Sequence, residues 1–93
     1  MASRVAQAVT DLREATALVA EGLSGTGHPE RVQDTYELIG VNEAMIALEN
    51  LCSNLYEFDV PIPKRAYFLL QRSSVVLGVD SRHWQILQPL IID

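Results

Sequence analysis

Apolar residues recur at intervals of three and four along most of the chain, and this spacing places them on one face of an α-helix. The first such segment covers 2–21, is rich in alanine, and precedes Gly22, which can end a helix. Its predicted buried face consists of Val5, Ala8, Val9, Leu12, Ala15, Thr16 and Val19. Its predicted polar face consists of Arg4, Gln7, Asp11 and Glu14. The pattern therefore predicts a first helix with one buried side, followed by a glycine-rich loop over 24–29.

Glycine and proline residues divide the remainder of the chain into four further helical segments. The predicted helices cover 29–40, 43–58, 63–77 and about 81–87. Asn42 is a suitable N-cap for the third helix, and Pro63 fits the first position of the fourth. No segment alternates between apolar and polar residues, so no strand is predicted. Because short loops favour antiparallel neighbours, the sequence predicts a single all-α domain over 1–93, a small antiparallel bundle of four to five helices.

Charge and composition exclude several function classes. The chain has 12 acidic and 7 basic residues, which gives a net charge of −5 at pH 7. Nucleic acids and anionic membranes attract cationic surfaces, so neither is an expected partner. No apolar stretch is long enough for a membrane span, and the N-terminal segment lacks the unbroken apolar core of a secretory signal. The single cysteine, Cys52, cannot form an internal disulfide, so the expected location is the cytoplasm.

The acidic residues are concentrated in the middle of the chain. Residues 30–60 contain seven acidic residues and one basic residue. Within the second helix, the spacing of four and three places Glu30, Asp34 and Glu37 on one face. This face is either an acidic stripe that speeds association with a basic partner or a solvated face that maintains solubility.

The third helix has a clear division into two faces. Its predicted core positions are Ala44, Ala47, Leu48, Leu51, Cys52, Leu55 and Phe58. Its predicted polar positions are Glu43, Glu49, Asn50, Ser53, Asn54 and Glu57. Ile46 falls in the middle of the polar face. It is either the apolar centre of a partner-binding surface or a residue covered by another helix of the bundle.

The sequence offers little for catalysis. His28 and His83 are 55 positions apart, and with one cysteine they give no metal-ligand spacing. Cys52 lies on the predicted core face, which favours an inert buried thiol over a nucleophile. We therefore expect no catalytic residue, no metal ion and no cofactor, and we predict that the protein is not an enzyme.

The central part of the chain resembles the Maf-type bacterial immunity proteins. The similarity is carried by Leu38-Ile39-Gly40, by Asn42-Glu43-Ala44 and by the run ALENLCSNLYEFD over 47–59. The later positions that continue it are Pro61, Ile62, Tyr67, Leu70, Leu77, Gly78, Trp84, Leu87, Leu90 and Ile91. The resemblance covers about 32–92 and excludes the N-terminal helix.

This resemblance implies a small cytoplasmic helical protein that binds and blocks a cognate polymorphic toxin domain, without chemistry of its own. Many such toxins are nucleases with cationic clefts, and the acidic second and third helices suit such a target. The alternative is a homodimeric helical adaptor or secretion-system chaperone, and the sequence leaves the oligomeric state open. The family does not fix the binding residues, so we infer them from charge and position. They are Asp34, Glu37, Glu43, Ile46, Asn50 and Glu57.

Overall fold

The structure is a computed structural model, and it describes residues 3–92. The helices are α1 (Arg4–Ser24), α2 (Glu30–Gly40), α3 (Ala44–Glu57), α4 (Lys64–Leu77) and α5 (Arg82–Gln85). The remaining elements are a 3₁₀ helix (Gln88–Leu90) and two short strands, β1 (Ile62–Pro63) and β2 (Ile91–Ile92). The prediction of a mostly helical domain is confirmed, and the antiparallel order of its helices stays a prediction.

The two strands correct the prediction that the chain contains none. β1 and β2 pair in parallel, with Ile62 opposite Ile91 and Pro63 opposite Ile92. Each strand has two residues, which is too short for any alternation of apolar and polar positions to be visible in the sequence. Pro63 lies in β1 and precedes α4, so it is the N-cap of that helix and not its first residue.

The core is formed mainly by α1, α3 and α4. α1 packs most extensively on α4, and α2 packs on α3. The largest fully buried side chains of these helices are Leu12, Leu23, Leu48, Leu51, Leu55, Leu69 and Leu70. The predicted core face of α3 is therefore confirmed at its centre. The prediction that Val5 is buried is wrong, since 55% of it is exposed. Periodicity identifies a helix face, but not how much of its length a neighbouring helix covers.

Gly22 lies inside α1 and does not end it. The helix continues to Ser24, two residues beyond Gly22. A Cβ atom at Gly22 would lie 3.0 Å from Cγ1 of Val60, which is itself almost completely buried. The glycine therefore allows the segment after α3 to approach α1 closely.

A tight turn over 41–43 connects α2 to α3. Asn42 has a φ of 64°, in the left-handed region that asparagine tolerates better than most residues. The prediction that Asn42 caps α3 is therefore wrong, because the N-cap is Glu43 and Asn42 forms the turn. The amide of Glu43 donates a 2.8 Å hydrogen bond to the carbonyl of Leu38. This bond closes the turn and sets the two helices side by side.

An ion pair joins α1 to α4. Arg72 donates two hydrogen bonds to the Asp11 carboxylate, from Nε at 2.7 Å and from Nη2 at 2.8 Å. Gln7 donates a third, at 3.0 Å. Asp11 is 3% exposed, so its predicted place on the polar face of the first helix is wrong. A carboxylate that accepts three hydrogen bonds, two of them from a guanidinium, can be buried where an isolated one could not.

This ion pair predicts a specific dependence of stability on pH. The hydrogen bonds from Arg72 are the main cause that lowers the pKa of Asp11 from its ordinary value of 3.8, against the opposing effect of burial. A lowered folded-state pKa adds stability above the ordinary value, and this contribution is lost as the pH falls through the folded-state pKa. In urea denaturation at pH 7, we expect a higher free energy of unfolding for wild type than for Asp11→Asn. This difference should shrink below about pH 4. A difference that stays constant down to pH 2 would contradict this prediction.

Candidate partner-binding surface

A polar groove runs between α2 and α3. Its volume is about 260 Å³. The α2 side is lined by Arg31, Asp34, Thr35 and Leu38. The α3 side is lined by Asn50, Ser53, Asn54 and Glu57. The fold therefore brings three of the six predicted binding residues together in one groove, namely Asp34, Asn50 and Glu57.

A shallower depression of about 460 Å³ adjoins this groove and shares residues with it. Asp34, Leu38 and Asn50 line both, while Glu37 and Val41 line only the depression. Glu37 therefore joins the same region of the molecule. Sequence spacing placed Asp34 and Glu37 on one helix face, but it could not show that this face borders α3.

The two remaining predicted residues continue along α3. Ile46 precedes Asn50 by four positions, which places the two on one stripe of α3, and Glu43 is the N-cap directly before that helix. Ile46 is 40% exposed. The interpretation that another helix covers it is therefore not supported, and Ile46 is available to a partner. We call the region formed by Asp34, Glu37, Val41, Glu43, Ile46, Asn50 and Glu57 the α2–α3 surface.

Exposed apolar side chains gather at the end of this surface near the turn. Val41 is 68% exposed and Met45 is 46% exposed, in addition to Ile46. Val41 is not among the predicted binding residues because it belongs to a connection and not to a helix face. An apolar β-branched residue between two turn-forming residues, Gly40 and Asn42, is the signal that could have identified it. The surface thus combines an apolar end with a charged groove.

The carboxylates of the α2–α3 surface make no ion pairs within residues 3–92. The acidic residues that do form such pairs are Asp11, Glu14, Glu30, Glu49 and Asp80. Asp34, Glu37, Glu43 and Glu57 are exposed. Arg31 is the basic residue that lines the groove, and its Nε is buried without a hydrogen-bond partner among the described residues. The four acidic residues therefore give this surface a strong negative charge.

Asn54 is the predicted polar-face residue whose placement differs most from expectation. It is 9% exposed, although it lines the groove. No hydrogen bond joins its side-chain amide to another of the described residues. Thr35, across the groove, donates its hydroxyl hydrogen bond to the carbonyl of Arg31 at 3.0 Å, so it is not a donor to this amide.

Cys52 lies behind the groove, on the inner side of α3. Its exposed fraction is 0%, and burial raises the pKa of its thiol to about 12. The thiol is therefore protonated at neutral pH and shielded from solvent, which confirms its prediction as a core residue. Within residues 3–92, no group of three or more His, Cys, Asp or Glu side chains is arranged to hold a metal ion.

The outer side of α4 has a different character. The guanidinium carbons of Arg65 and Arg72 lie 5.8 Å and 5.2 Å from the centroid of the Phe68 ring. Arg65 also pairs with Glu14 at 3.1 Å, so both arginines are held toward α1. Phe68 is 44% exposed and Val75 is 68% exposed. This second apolar region is thus flanked by basic residues that already have acidic partners.

Among the described helices, none combines the length and the apolar composition that a membrane crossing requires. Comparison of the whole chain with models of protein families, with curated proteins and with solved structures gave no match.

Proposed function

We propose that the protein is an immunity protein that binds a cognate polymorphic toxin domain and occludes its active cleft. The observation that carries this proposal is the exposed α2–α3 surface, in which four carboxylates without an ion pair among the described residues accompany an exposed Ile46. Exposed apolar side chains next to charged ones are found together at many protein interfaces. The resemblance of 32–92 to Maf-type immunity proteins supports the same function.

The charge of this surface favours one class of toxin. Nucleases bind a polyanionic substrate, so their clefts carry basic residues. Carboxylates of the α2–α3 surface can occupy the positions of the substrate phosphates in such a cleft and form charge-assisted hydrogen bonds there. We therefore propose a nuclease as the target. The proposed role of the protein in the cytoplasm is binding alone, without catalysis.

The proposal predicts a toxin domain encoded next to this gene, and the direct test uses that domain. Co-expression of the protein should restore growth of cells that produce the toxin domain, and the two purified proteins should form a stable complex. An unrelated acidic helical protein serves as the control. If growth is not restored and no complex forms, the immunity proposal is wrong.

Charge reversal in the groove should slow complex formation. We expect Asp34→Lys combined with Glu37→Lys to lower the association rate about tenfold at low salt, because the attraction that guides the two proteins together is weakened. The effect should shrink at high salt, where the interaction is screened. Surface plasmon resonance at two salt concentrations measures both. Glu21→Lys on α1 is the matched control for each single reversal, since it makes the same change in charge at an exposed residue outside the surface. Equal rates for all variants at both salt concentrations would contradict the prediction.

The alternative of a homodimeric adaptor or secretion-system chaperone is favoured by one observation, the exposed Phe68 and Val75 on α4. A homodimer could bury these side chains against a second copy. Analytical ultracentrifugation separates the two functions, because an obligate dimer persists at low protein concentration whereas an immunity protein need not.

A further inference from the structure

The size of the groove between α2 and α3 limits what it can hold. Its volume of about 260 Å³ is smaller than the pockets of about 300–1,000 Å³ that hold drug-sized ligands. A groove of this size accommodates one long side chain and not a folded element.

The chemistry of the groove calls for a ligand with several hydrogen-bond donors. Asp34 on α2 and Glu57 on α3 present carboxylates that form no ion pair within residues 3–92. Asn50 and Asn54 add amide oxygens from α3. Asn54 is nine-tenths buried, and no hydrogen bond joins its amide to another of the described residues, so this amide is free to bond to a ligand in the groove. Acceptors therefore surround the groove on both sides.

Arginine matches this set better than lysine does. A guanidinium has five donors in a fixed plane, so it can bond to carboxylates and amides in several directions at once, whereas an ammonium has three donors at a single point. Leu38, which is half-buried in the α2 wall, offers an apolar contact for the methylene groups of such a side chain.

The positive charge of Arg31 disfavours the binding of a cation in the groove. It contributes one positive charge against the two negative charges of Asp34 and Glu57, so the lining residues have a net charge of −1. Its Nε is buried and has no partner, and it forms no ion pair among the described residues. A cation is therefore favoured overall, but less strongly than it would be without Arg31.

We propose that the groove between α2 and α3 is a binding site for a single arginine side chain, which the partner protein inserts between Asp34 and Glu57. The proposed immunity function enters only in naming the toxin domain as the protein that carries this arginine. The site itself is a property of this chain and can be tested without the toxin.

The test is an NMR titration of the ¹⁵N-labelled full chain with N-acetyl-L-arginine amide. We expect saturable shifts of the side-chain amide signals of Asn50 and Asn54. The citrulline analogue, which has the same shape without the charge, should bind at least tenfold more weakly. Asp34→Asn and Glu57→Gln should each weaken arginine binding about tenfold, because each removes a charge-assisted hydrogen bond. The matched control Glu21→Gln, which removes a charge outside the groove, should leave it unchanged.

The variant Arg31→Met tests whether the groove binds a cation or an anion. Removal of this charge should tighten arginine binding if the groove accepts a cation. An N-acetyl-glutamate amide that saturates the same signals, and loses this ability in Arg31→Met, would show an anion site and overturn the proposal. Equal binding of arginine and citrulline, or shifts that never saturate, would also overturn it.

Failure of the arginine site can be distinguished from failure of the proposed function. If the toxin domain is neutralised equally by wild type and by the Asp34→Asn, Glu57→Gln double variant, the insertion of a toxin arginine into the groove is wrong while the immunity function stands. If the arginine probe binds as expected but no toxin complex forms, the site stands and the immunity function is wrong.

Discussion

Replacement of Leu51 by aspartate is expected to unfold the protein. Leu51 is completely buried at the centre of α3, where it belongs to the main core cluster. Loss of a buried leucine side chain alone costs about 2–5 kcal/mol of the free energy of unfolding. Burial of an unpaired carboxylate adds several kcal/mol to that cost. The total free energy of unfolding of a domain of this size is roughly 5–10 kcal/mol, so the folded state should not persist.

Circular dichroism during thermal unfolding measures this effect, and the same helix provides the control. Ile46→Asp makes an equivalent change at a position that is 40% exposed, so it should retain a cooperative transition. Glu43→Ala and Glu57→Ala should do the same, because both residues are exposed. A cooperative transition of Leu51→Asp at the wild-type temperature would show that α3 does not pack as the structure has it.

The second large effect concerns the lifetime of the proposed complex. Ile46→Arg should speed dissociation from the toxin domain about thirtyfold, since residues at the centre of an interface often contribute about 2 kcal/mol or more. The association rate should change less, because a desolvated apolar contact forms after the initial encounter. Surface plasmon resonance measures both rates.

Val75→Arg on α4 is the matched control for Ile46→Arg. It places the same side chain on another exposed aliphatic position, outside the α2–α3 surface. Its dissociation rate should equal that of wild type, and both variants should keep the wild-type melting temperature. If Ile46→Arg dissociates at the wild-type rate, Ile46 does not lie at the centre of the interface.

The elements of this fold that depend on local spacing could be predicted from the sequence. The centre of α3 is the best case, because Leu48, Leu51 and Leu55 repeat at three and four positions and are all buried. Features that depend on distant residues could not be predicted. Asp11 is buried only because Arg72, 61 positions later in the chain, provides a bidentate partner.

The candidate site shows the same division. Helical spacing correctly separated Ile46 and Glu57 from the core face of α3. It did not show that Asp34 and Glu57 line one groove, because that depends on the packing of α2 against α3. It also placed Asn54 in solvent, whereas the neighbouring helix buries most of it. Binding by these residues stays a prediction.

The reactivity of Cys52 can report how often α3, which carries part of the proposed surface, separates from the core. It is the only thiol in the chain, and it faces the core while Asn50 and Asn54, two positions away on either side, line the groove. An alkylating reagent can reach this sulfur only when α3 separates transiently from the core. The rate of alkylation therefore reports the frequency of that separation. A partner that binds in the groove should keep α3 packed on the core. The decrease in the alkylation rate then measures how strongly the partner stabilises this packing.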